Sequence, residues 1–65
     1  MRKYEVVVID TNAREVRRKT VEAKSFKAAL GLVVHNADDY ILAPPDSQGV
    51  KIYVSKENTA KVSRV

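Results

Sequence analysis

Cysteine is absent from this chain, so neither disulfides nor thiolate-held metal can staple it, and 65 residues must rely on an ordinary apolar core or on a partner. Tryptophan is absent too. With only Phe26 and three tyrosines as aromatics, an extensive base-stacking platform is excluded, and any nucleic-acid contact would be mainly electrostatic and independent of sequence. The single histidine, His35, makes no zinc site without cysteine, and the only glycines, Gly31 and Gly49, stand too far apart for a phosphate-cradling loop. Long apolar runs are missing as well. The best of them, residues 6–9 and 30–34, fall far below the roughly 20 residues that span a bilayer, and Arg2 and Lys3 precede no signal-like apolar stretch. The chain therefore reads as cytoplasmic, with no membrane partner.

Charge is what the chain has in quantity. Twelve Lys and Arg against eight Asp and Glu give a net charge of +4 and a pI near 9.6, a bias toward polyanions tempered by interspersed acids. The charge is segregated along the chain. Residues 1–27 hold Arg2, Lys3, Arg14, Arg17, Arg18, Lys19, Lys24 and Lys27 against four acids, whereas residues 28–49 carry only Asp38, Asp39 and Asp46. Charged residues at 31% beside an apolar fraction of 45% fit a folded domain rather than disorder. The length leaves room for one domain, residues 1–65, that buries roughly 60% of its unfolded surface.

Periodicity orders the elements. Residues 4–9 (YEVVVI) are β-branched and read as a central strand with Tyr4, Val6 and Val8 on one face. Asp10, Thr11, Asn12 and Ala13 supply turn chemistry, and residues 15–24 (EVRRKTVEAK) give the return strand. A two-residue turn at Asn12-Ala13 pairs Tyr4 with Val21, Val6 with Lys19 and Val8 with Arg17. In a regular ladder Val16 joins Val7 and Ile9 on the face away from Tyr4. A bulge near Arg17-Arg18 would instead move Val16 to the core face, and the sequence leaves both arrangements open.

Ser25 is placed to cap a helix of about three turns, with Phe26, Ala29, Leu30, Val33, Val34 and Ala37 on its apolar side, ending at Asn36 or Asp38. Residues 40–43 (YILA) read as a short strand stopped by Pro44 and Pro45, and residues 46–49 as a turn. Residues 50–54 (VKIYV) alternate, with Val50, Ile52 and Val54 inward and Lys51 and Tyr53 outward. Residues 60–65 remain a final strand or a frayed tail. The order β-β-α-β-β, with room for a further C-terminal strand, specifies an α+β fold: one antiparallel sheet of four or five strands with a helix on one face. The other face then meets solvent or another molecule.

The densest cluster of charge is residues 14–19 (REVRRK), four cations in six positions. On a strand, Arg14 and Arg18 point one way and Arg17 and Lys19 the other, so the run forms no single stripe. It reads first as an edge protected from edge-to-edge pairing, and second as a phosphate-contacting site of Arg14, Arg17, Arg18 and Lys19. His35 with Asp38 and Asp39 offers a base and carboxylates, yet no nucleophile is placed beside them, because Ser25 is a cap and Ser47 lies in a turn. No segment carries a catalytic, cofactor or metal motif, so the chain is not read as an enzyme. The expected function is a small binding or regulatory module acting through a protein–protein surface of Val7, Ile9, Val16 and Tyr53. Its partner would be another protein or a second copy in a homodimer, and the competing reading is a basic domain that contacts the phosphates of DNA or RNA.

Overall fold

The computed structural model describes residues 1–47 and 49–65, giving the backbone alone at 45–47. Five strands, β1 (Arg2–Asp10), β2 (Glu15–Ala23), β3 (Ile41–Ser47), β4 (Val50–Val54) and β5 (Asn58–Arg64), form one antiparallel sheet in the order β2-β1-β5-β4-β3. One helix, α1 (Phe26–Val33), covers part of one face, which is the α+β two-layer arrangement that the periodicity specifies. The C-terminal segment is a full strand. It enters the middle of the sheet between β1 and β4, and its Ala60 and Val62 are completely buried.

The hairpin ladder pairs Tyr4 with Val21, Val6 with Lys19 and Val8 with Arg17, then shifts so that Ile9 faces Glu15 and Val16 is the extra residue of a bulge. The turn is longer than two residues. Asp10 Oδ1 accepts from the backbone N–H groups of Asn12 and Arg14, the Asp10 N–H donates to the Arg14 carbonyl, and the positive φ (61°) falls on Ala13 rather than on Asn12.

Ser25 caps the helix, its hydroxyl oxygen accepting from the Ala28 N–H at 3.1 Å. The helix has eight residues, not three turns. It stops at Val33 because β-branched Val34 turns extended (φ −118°), after which Ala37–Asp39 form a single 3₁₀ turn. His35 and Asn36 thereby leave the helix and enter its exit loop.

The third strand runs through Pro44 and Pro45 rather than stopping at them. This is possible because β3 is an edge strand, paired only with β4, whose ladder is irregular between Ala43 and Ser47. The turn expected over 46–49 includes position 48, which lies outside the described residues. Gly49 sits at φ 83°, where a side chain would be strained.

The core lies between the helix and β2, β1 and β5, with Tyr4, Val6, Leu30 and Val62 at its centre. Farther along the sheet the layer is continued by Tyr53 and Tyr40, 7% and 5% exposed. The faces of β4 are therefore the reverse of those expected. Tyr53 pairs with Ala60 on the helix side, and Val50, Ile52 and Val54 point to the uncovered side. A helix this short leaves space beside it that a large phenol ring fills and valine would not.

Candidate functional site

Cross-strand partners share a face, so the register defines the surface that the helix leaves bare. One row across the sheet is Arg18, Val7, Lys61, Ile52 and Ala43, and the next is Glu15, Ile9, Thr59, Val54 and Ile41. The β3–β4 half of this face is apolar and the β1–β2 half is charged. Ile41 is 74% exposed and Val54 39%, while Val7, between the long side chains of Arg18 and Lys61, is nearly buried.

The bulge organises the charged half. By inserting Val16 it puts Glu15 and Arg18, three residues apart, on one face, which a regular strand would not do. Arg18 Nη2 then reaches Glu15 Oε1 at 2.7 Å while Nη1 reaches Glu5 Oε2 at 3.1 Å. These hydrogen bonds raise the Arg18 pKa further, and the bond from Arg18 holds the Glu15 carboxyl below its ordinary value of 4.5. Among the described residues this face carries Lys3, Arg18 and Lys61 against Glu5, Glu15 and Glu22. Its charges cancel, and the chain's excess of +4 lies elsewhere.

The four surface residues named from sequence are divided by the structure. Val7 and Ile9 lie on the uncovered face. Val16, 59% exposed, is carried by the bulge to the helix side, and Tyr53 is core and cannot meet a partner. Ile41, Ile52 and Val54 are the residues that sequence reasoning missed on this face. Alternation in VKIYV puts its three aliphatic residues on one parity and Lys51 with Tyr53 on the other, and only the pairing of Tyr53 with small Ala60 identifies the side that faces inward.

The basic run does not act as a unit. Arg14 is in the turn, Arg18 is bound between two carboxylates, and Lys19 is exposed on the helix side. Arg17, also on the helix side, donates from Nη1 to the Val33 carbonyl at 3.1 Å, satisfying one of the carbonyls that the helix end leaves open. A different pair of cations approaches an aromatic ring: Lys51 and Arg64 stand 5.3 and 5.4 Å from the Phe26 centroid, whose other neighbour is Tyr4 at 4.9 Å. Sequence distance hides this grouping.

Where the helix ends, the sheet is bare on the inner side as well, and a cavity of about 290 Å³ opens there. Val8, Val16, Val33, Val34 and Tyr40 form its walls, and Arg17, His35, Glu57 and Asn58 bring polar groups to it. His35 lines this cavity, and its expected companions Asp38 and Asp39 do not. Among the described residues no three metal-ligating side chains gather, and no helix is long and apolar enough to cross a membrane.

Comparison with protein families, with curated proteins and with solved structures finds no match to this chain.

Proposed function

We propose that this chain is a small, non-enzymatic protein-binding module that works through its uncovered sheet face, and that the occupant of that face is a second copy of the same chain. The observation that carries this reading is the composition of the face: an apolar half of Ile41, Ile52 and Val54 beside a charged half whose three cations and three anions cancel. A neutral, mixed surface suits an isologous contact, in which the same patch serves both sides, better than it suits a polyanion.

Size supports the same reading. Five strands about 4.8 Å apart, with five to nine residues at about 3.3 Å each, present a face of roughly 500 Å² per copy. Two such faces together reach about 1,000 Å², the lower bound for a specific interface, so the association is of the weak, concentration-dependent kind. The apolar half would form its core and the charged half its rim.

Sedimentation equilibrium tests it. The mass should rise from 7.3 kDa toward twice that value with concentration, and Ile41→Asp, at an exposed position whose change costs the fold little, should hold the chain at monomer mass. A mass that stays at one chain throughout, or a rise that persists with both Ile41→Asp and Ile52→Asp, would remove the proposal.

A second reading, sequence-independent contact with DNA or RNA, draws support from the excess of +4 located off this face. It predicts retardation of nucleic acid at about 50 mM salt that fades steeply as salt rises. In that case Arg17 and Lys19, both on the helix side, should contribute more than Arg18, which its two carboxylates already engage.

A further inference from the structure

The cavity beyond the helix end has a feature that its apolar walls do not explain. Two opposite charges, Arg17 and Glu57, line it, yet they form no ion pair with each other, and among the described residues no ion pair holds the Glu57 carboxylate. Arg17 is pinned through Nη1 to the Val33 carbonyl, and among the described residues Nη2 and Nε meet no acceptor. A planar guanidinium with one arm fixed is a pre-ordered receptor for a carboxylate, because most of its side-chain entropy is already spent.

From this geometry we infer that the cavity is a binding site for a small zwitterion with an aliphatic tail, of the class of the apolar α-amino acids. The ligand's carboxylate meets the free arms of Arg17, its ammonium meets the carboxylate of Glu57, and its tail lies against Val8, Val16 and Val33. At about 290 Å³ the cavity is at the small end of sites that hold organic molecules, a size that suits a single amino acid. A simple anion is served worse, because it would place its charge near Glu57 with nothing to offset it. A simple amine leaves the guanidinium unmatched. The site exists because Val34 ends the helix after eight residues and because the bulge brings Val16 and Arg17 together on the inner side. It is on the opposite side of the sheet from the proposed self-association face and does not depend on it.

The test is a titration of the isotope-labelled full chain, followed by amide and methyl chemical shifts, with three isosteric probes: leucine, 4-methylpentanoate and 3-methylbutylamine. Leucine should shift Val16, Val33 and Asn58 saturably, and each one-charge probe should bind about tenfold or more weakly, as expected for losing one charged hydrogen-bonding partner. Glu57→Gln, an isosteric change in an exposed turn, should weaken leucine by a similar factor and leave the binding of 4-methylpentanoate unchanged or stronger. Arg17→Gln should weaken both. No saturable shift with leucine, or equal binding of leucine and 4-methylpentanoate that Glu57→Gln does not separate, overturns the assignment.

Discussion

Ala13 holds the least comfortable backbone among the described residues. Its φ of 61° is left-handed, a region that costs an L-residue with a Cβ about 1–2 kcal/mol. Glycine removes that cost but makes the unfolded chain freer by about 0.4–1 kcal/mol, so Ala13→Gly should stabilise by about 0.5–1 kcal/mol. Thermal denaturation should show a midpoint several degrees higher. Leu30, completely buried at the centre of the core, lies at the other extreme. Leu30→Ala should cost about 2–5 kcal/mol, most of the stability a domain of this size has, and chemical denaturation should find it largely unfolded. Glu15 gives a pH signature. Its folded pKa is depressed, so its contribution is present above the ordinary value of 4.5 and is lost as pH falls through the lowered folded value. A carboxyl titration by NMR should place the Glu15 midpoint below 4.5, and Arg18→Met should return it to the ordinary value.

At the scale of elements, the hairpin and the helix start were legible and the helix end was not. Ser25 before an apolar 3.6-residue period is a local signal, and the Tyr4–Val21 pairing expected from a two-residue turn is the one found because the longer turn is offset by the one-residue bulge at Val16. The end at Val33 falls where Val34 turns extended, and the Val33 carbonyl is met by Arg17, sixteen residues away, a contact that no local pattern reveals. The bulge could be suspected because a regular ladder left Val16 on the wrong side, yet its exact place goes with the turn, where Asp10 Oδ1 accepts from the N–H groups of both Asn12 and Arg14. β4 was misread for a different reason: VKIYV puts its three aliphatic residues on one parity, yet the inward side is taken by Tyr53, whose ring fills the space that an eight-residue helix leaves beside it. These contacts carry measurable energy. Ser25→Ala should cost about 1 kcal/mol through the lost cap. Arg17→Gln should cost about as much by freeing the Val33 carbonyl, and faster hydrogen exchange confined to the last turn of α1 would mark that loss as local.

The whole molecule is two-sided in charge as well as in architecture. A sheet with one helix has one face to spare, and here that face is electrically neutral while the net positive charge belongs to the helix side, the turns and the ends. Composition alone, with +4 and a pI near 9.6, pointed to polyanions; the register separates the excess of cations from the face that carries Ile41, Ile52 and Val54. The proposed self-association would link stability to concentration, because a second copy that binds only the folded chain adds to the stability of a small domain without disulfides. The most direct measurement is an isotope-filtered NOE experiment on an equal mixture of labelled and unlabelled chains. Contacts between protomers should join the methyl groups of Ile9, Ile41, Ile52 and Val54, and only those of the uncovered face. Their absence at concentrations where sedimentation detects a dimer, or their appearance on the helix side instead, would contradict the account.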